Sequence, residues 1–295
     1  MKQSYKATDP AANYVDCTCG KSDCWTVGLL PLRDHTAALY RAILTLGFEE
    51  RFAEYDRGDD PWPGVIYGLE LSASLEALTA DPTYVSEDLS WTMCSAAWET
   101  DEESRELASK YAAALISFNF AWMAYEAAIE LSVKDEKYGG TLPVRGRQCF
   151  KSEAIEATKV ASLPVIYRVA KHYCRDLLAV SDELDASITK YELSMPAAAA
   201  ELARLFRNHI VHGRDPLPVY SEEPCRRLYA VARMLLLLIQ HLVLRRLIDP
   251  NRHIELSLHN DGVGSEPADV FLRNLHYRDE RWRSLTPSVQ SRRFP

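Results

Sequence analysis

The chain has 295 residues, 47 % hydrophobic and 26 % charged, with a formal net charge of −8. That balance excludes disorder over the whole length and allows one large domain or two small ones. The charge is uneven: residues 1–150 hold 13 Lys and Arg against 24 Asp and Glu, whereas from Arg204 onward 15 Arg and no Lys face 10 acids. A surface meant for phosphate therefore belongs in the C-terminal third, because the planar guanidinium fork binds two oxygens at once.

Residues 1–30 read as a loop carrying three Cys, and Met1–Lys6 shows no apolar segment of a signal peptide. Pro31 to Tyr55 reads as a helix, with Leu39, Ile43, Leu46 and Phe52 near helical spacing. Asp56 to Gly64, rich in Gly, Pro and Asp, reads as a loop. Val65–Leu78 and Asp88–Glu99 are the next candidate helices. Thr100-Asp101-Glu102-Glu103 then offers an N-cap and an acidic first turn for a helix to about Val133. Lys137 to Arg147 reads as a basic, glycine-containing loop.

Ser152 to Lys190 holds one or two helices, with Pro164 as a kink or break. Met195-Pro196 opens a helix that runs through four Ala to His212, where Gly213 supplies the stop and Pro216 and Pro218 prevent continuation. Ser221–Pro224 begins the last long helix, to about Ile248, and His253–His259 alternates as a short strand. The segment Met234–Leu244, broken by Gln240 and His241, is too short to span a bilayer and reads as a buried helix. The apolar helix Arg233–Leu244 has more apolar surface than one bundle face needs, which fits a further packing partner. The expected organisation is an N-terminal loop and helical region over 1–100, a helical domain over 101–250 and an Arg-rich tail over 251–295. The odd count of seven Cys argues against a disulfide framework and for the cytosol.

The informative stretch is Arg207-Asn208-His209-Ile210-Val211-His212, directly before Gly213. A histidine can give or take a proton near neutral pH, and an arginine can stabilise charge building on phosphorus. Together they suffice for metal-free RNA cleavage, in which the 2′-hydroxyl attacks the adjacent phosphate and leaves a 2′,3′-cyclic phosphate. On an ideal helix the two side chains point about 140° apart, a gap that a long Arg and a frayed helix end can close. Upstream, Leu115, Asn119, Trp122, Glu126 and Ile129 share one helix face. Glu126 would suit Arg207 as a partner, or else Asn119 and Glu126 lie at a wet edge. His209, about 200° from Arg207, reads as a packing residue.

The run Leu205–Gly213, with Arg207-x4-His212, resembles the active-site motif of the HEPN family, in the branch found in bacterial abortive-infection and antiphage proteins. The stretch Phe120-Ala121-Trp122-Met123-Ala124-Tyr125-Glu126 resembles the earlier family helix that carries an acidic residue facing the site. The resemblance covers about residues 101–250. It implies an all-α antiparallel helical bundle and a homodimer or higher homo-oligomer with composite sites. Arg207 and His212 would be catalytic, with Asn208 and Glu126 positioning them. The implied activity is a metal-independent endoribonuclease of a defence or toxin type, with RNA as substrate, a regulatory protein partner and no membrane. The alternative is a non-catalytic HEPN protein that binds nucleic acid, nucleotide or a protein.

Cys17, Cys19 and Cys24 form the one metal-like cluster. They read either as three ligands of a structural zinc that lacks a nameable fourth, or as free thiols. The remaining Cys94, Cys149, Cys174 and Cys225 read as small apolar residues. Asp56, Asp59 and Asp60 read as a solvated turn. Dinucleotide fingerprint, P-loop, serine-hydrolase elbow and zinc-protease motif are all missing from the sequence.

Overall fold

The computed structural model describes residues 5–6, 28–48, 62–75, 77–80, 95–133, 138–152, 160, 162–214, 221–247, 255–257 and 265–278. Among these the fold is all-α, as the periodicity predicts. Helix α1 is Leu32–Phe48, α2 Pro63–Ser74, α3 Ser95–Ser132, α4 Leu142–Lys151 and α5 Leu163–Tyr173. Then come α6 Leu178–Tyr191, α7 Met195–Val211, α8 Glu223–Arg246 and α9 Ala268–Asn274. Two short antiparallel pairs complete the description: β1 Tyr5–Lys6 with β2 Ala77–Leu78, and β3 Glu255–Leu256 with β4 Glu266–Pro267. The strand β3 falls inside the alternating segment 253–259.

Several boundaries differ from the sequence expectation, each for a local reason. Pro63 and Gly64 belong to the first turn of α2 and not to a loop, because proline's fixed φ suits that position. Pro164 likewise sits in the first turn of α5 and neither kinks nor breaks it. Helix α3 runs straight through Thr100, so no helix starts there. Thr100 and Glu103 are exposed, and nothing in their solvated face interrupts the helix.

The expected loop at Lys137–Arg147 contains the first half of α4. Gly146 in that helix does not mark a break. It marks a close approach, since a Cβ there would lie 2.7 Å from Ile129 Cδ1 of α3.

Helix α8 is the centre of the molecule. Every residue from Arg227 to Leu244 is buried, under α1, α3, α5, α7 and α9. Its apolar surface is therefore satisfied inside the chain, and the expected surplus for an outside partner is not there. By length and composition, Glu102–Ser132 and Glu223–Arg246 could each cross a membrane, and the apolar window of the second is wholly buried in the bundle. One contiguous core joins Leu29, the helices and Tyr277. The expected boundary at residue 100 thus falls inside α3 and does not divide the core.

Part of the expected irregular tail is also core. Phe271, Leu272, Leu275 and Tyr277 are buried, and 276–278 lie beside 28–30 through Leu30 N–His276 O at 2.9 Å and Arg278 N–Gly28 O at 2.8 Å.

The polar groups on α8 are tied to this arrangement. Gln240 Nε2 donates to the Leu272 carbonyl at 2.7 Å, which turns its Oε1 to accept from His35 Nε2 at 2.6 Å. His35 is therefore the neutral Nε2–H tautomer. His241 Nε2 accepts from the Val160 amide at 3.2 Å.

Burial and then the Arg233 charge push His35 down to about 3, against the Gln240 hydrogen bond. Burial and then Arg273 push His241 down to about 4. Both values lie below the ordinary 6.5, so the unfolded chain takes up protons first on acidification. The stability these neutral imidazoles carry is complete above about pH 6.5 and is lost progressively below it. At pH 5 each should cost about 2 kcal/mol. Urea titrations at pH 7.5 and pH 5 should show a clearly lower midpoint at pH 5. Equal midpoints would contradict neutral, buried histidines.

Gly68 lets α2 lie on α3, because a Cβ there would sit 2.9 Å from the Phe120 carbonyl oxygen and 3.0 Å from Ala124 N and Cβ. Backbone cannot swing aside as a side-chain tip can. Gly68→Ala should therefore destabilise the protein by about 1–3 kcal/mol despite alanine's better helix propensity. A thermal midpoint equal to or above the parent's would refute the close approach.

Candidate active site

The end of α7 is built by three backbone hydrogen bonds. His212 N donates to Asn208 O at 3.1 Å, Gly213 N to Ile210 O at 2.9 Å and Arg214 N to His209 O at 3.2 Å. The last two, with Gly213 at φ +62°, form a Schellman stop. Gly213 thus ends the helix as its position predicts. His212 is the C-cap residue with φ −81° and ψ 8°, and it is exposed.

Arg207 sits one turn earlier on the seam between α7 and α3. Phe206 meets Phe118 edge-on at 5.4 Å between centroids, and beside this pair the Arg207 guanidinium lies 5.9 Å from the Trp122 ring centroid. Arg207 is half-buried, and no carboxylate among the described residues pairs with it. The expected ion pair with Glu126 is therefore not made. Glu126 is half-buried and Asn119 exposed, so this polar edge of the α3 face is the wet one. Trp122, from the same face, provides Arg207's neighbour. Asn208 is half-buried, and its carbonyl holds the His212 amide. His209 is buried on the core side, as its angular position predicts.

The last turn of α7 thus carries half-buried Arg207 and Asn208, with exposed His212 at its C-cap and exposed Arg214 just beyond. Helix C-termini attract cations through the exposed carbonyl ends of the backbone dipoles.

The sequence reading missed a second charged cluster on the same helix. Glu201, fully buried, accepts from Arg204 Nε at 3.0 Å and Nη2 at 2.9 Å, and Arg147 Nη1 of α4 lies 3.1 Å away. Arg204 also reaches Glu183 of α6 at 3.2 Å. Burial alone would raise the Glu201 pKa. The Arg204 hydrogen bonds and charge, the Arg147 charge and the Ser187 hydrogen bond outweigh it and hold the carboxyl below its usual range. The available signal was a carboxylate one residue after Ala197–Ala200, a run small enough for close helix packing, with an Arg three residues on.

Cys17, Cys19 and Cys24 lie outside the described residues, as do Asp56, Asp59 and Asp60. Among the described residues no group of three or more His, Cys, Asp or Glu could hold a metal ion. Cys149, Cys174 and Cys225 are buried in the core and form no disulfide. Comparison with known proteins found no matching family model, no matching curated protein and no matching solved structure.

Because Arg207 has no buried acid to orphan among the described residues, its removal costs chiefly the contact with Trp122, about 0.5–2 kcal/mol. Arg207→Ala should therefore stay folded, with a denaturation midpoint near the parent's, and adding Glu126→Gln should not change it. A loss of several kcal/mol would show that the guanidinium is a structural element.

Proposed function

We propose that this protein is a metal-independent endoribonuclease whose working groups are Arg207 and His212. The observation that carries the proposal is the end of α7, where an exposed imidazole on a defined helix stop follows, five residues on, a guanidinium with no carboxylate partner among the described residues. The 2′-hydroxyl of RNA attacks the adjacent phosphorus, the P–O5′ bond breaks, and a 2′,3′-cyclic phosphate and a 5′-hydroxyl result. An imidazole takes the 2′-hydroxyl proton and an imidazolium gives one to O5′, while Arg207 stabilises the doubly charged phosphorane oxygens.

One His212 cannot fill both roles in the same step. Two copies related by a two-fold axis supply both, which favours a homodimer with composite sites. Exposed Val211, one turn from Arg207 on the same face, and exposed Met123, next to Trp122, give such an interface apolar surface. Asn208 positions the His212 backbone, and Glu126 at the wet edge is a positioning group for substrate or partner side chains. The resemblance to HEPN proteins supports a cytoplasmic defence or toxin role with a regulatory partner. This reaction uses no metal, and any zinc at Cys17, Cys19 and Cys24 would be structural.

The test is cleavage of labelled RNA by purified protein in EDTA, with the product ends identified. His212→Ala and Arg207→Ala should each lower the rate at least about 100-fold, while His209→Ala should affect stability more than chemistry. Parent-like cleavage by His212→Ala, or cleavage that requires a divalent ion, would refute the mechanism. Binding of RNA without cleavage would leave the non-catalytic reading in its place.

A further inference from the structure

A cavity of about 310 Å³ opens between the end of α4 and the corner joining α6 to α7. Arg147 and Lys151 line it from α4, and Lys190, Tyr191, Glu192 and Leu193 line it from the corner. Three cations face one carboxylate there, in a chain whose net charge is −8. All three gather on Tyr191. The Arg147 guanidinium lies 4.3 Å from its ring centroid, the Lys190 ammonium 5.0 Å from it, and Lys151 Nζ donates to its carbonyl at 2.5 Å.

Arg147 is fixed in place. Its side chain is 12 % exposed and its Nη1 is held by Glu201 Oε1. No other acceptor among the described residues takes its remaining N–H groups, and the residue borders the cavity. Lys151 and Lys190 have no carboxylate partner among the described residues. The corner itself is held by Glu192 at φ +49°, the one non-glycine with positive φ among the described residues. Glu201 and Glu183 offset Arg147 and Arg204, and Glu192 stands against two lysines, so about one positive charge and a set of fork donors remain uncompensated. Such a group attracts an anion.

We propose that this cavity binds a phosphomonoester, with its phosphate on Arg147, Lys151 and Lys190 and its organic part against Tyr191 and Leu193. A phosphomonoester carries about −1.5 to −2 charges at neutral pH, and the volume is at the small end of ligand cavities, about 300–1,000 Å³. A nucleoside monophosphate is of that scale. The site is separate from Arg207 and His212, because it lies at the start of α7, about 18 Å along the helix from Arg207 and about 25 Å from His212 at 1.5 Å per residue. The same chemistry occurs in a free nucleotide and at the 5′-phosphate end of an RNA strand.

Calorimetric titration of the full chain with adenosine monophosphate, adenosine, and short RNA with and without a 5′-phosphate tests the site. Adenosine monophosphate should bind at least tenfold more tightly than adenosine. Lys151→Met with Lys190→Met should weaken it at least tenfold, with an unchanged circular dichroism spectrum, since both lysines are exposed. Lys171→Met, which removes a lysine paired with Asp185 elsewhere, should leave it unchanged. So should Arg207→Ala and His212→Ala, which keeps this outcome independent of any ribonuclease activity. Tighter binding of 5′-phosphorylated RNA than of the nucleotide assigns the cavity to a strand end, and the reverse assigns it to a free ligand. No binding of either phosphate up to about 10 mM, or binding indifferent to the double lysine variant, overturns the proposal.

Discussion

The burial of α8 is the constraint on which the rest of the structure depends. A helix buried on every side has no solvent face on which to place polar side chains, so each one needs a partner from a surrounding element. Gln240 finds His35 of α1 and the Leu272 carbonyl of α9. His241 finds the Val160 amide ahead of α5. Arg233 donates to the Leu30 carbonyl. These partners are far apart in sequence, and the requirement to satisfy α8 is what gathers them. His276 and Tyr277 then meet Ser162 at 2.5 Å each, tying the segment after α9 to the start of α5. The polar groups specify which helices surround α8, and the apolar area supplies the energy for doing so.

The second organising interaction is the Glu201 cluster. A lone buried carboxylate would be costly, but two guanidiniums from different elements turn it into a joint between α4 and α7, with Glu183 adding α6. The joint sits in the N-terminal half of α7, whereas the Phe206–Phe118 and Arg207–Trp122 contacts fix its other end against α3. Helix α7 is thus held independently at both ends. That rigidity defines where His212 projects.

Much of the helical content was legible because helical spacing and end signals are local. Gly213 is the clearest case: a glycine after a periodic run marks a left-handed stop, and the Schellman bonds are there. The failures share one cause, the use of a local signal where a long-range contact decides. Gly146 resembles a loop residue until Ile129 is seen against it. Pro63 and Pro164 resemble breakers but occupy first turns, where no backbone donor is missed. Thr100 carries a start signature inside an uninterrupted helix. At the site, the placement of Arg207 and His212 at one helix end follows from sequence alone. The partner of Arg207 does not, since choosing Trp122 over Glu126 depends on how α3 is rotated against α7. Around Glu201 only the pair with Arg204 had a local signal, because Arg147 and Glu183 come from other helices.

The burial of α8 also bears on how the chain is made. It is apolar and long enough to be taken for a membrane span, and in the folded protein no residue from Arg227 to Leu244 is more than 7 % exposed. On the ribosome it emerges after α1, α3, α5 and α7, which form most of its surroundings. Synthesis runs from the N-terminus, so the segment most prone to aggregation or to misdirected insertion is released when its docking groove is already available. Only α9 remains to be added over it. A circular permutation that placed α8 first would preserve every contact of the final fold while leaving this helix exposed for the longest part of translation, and its cost would appear as lost yield and not as lost stability.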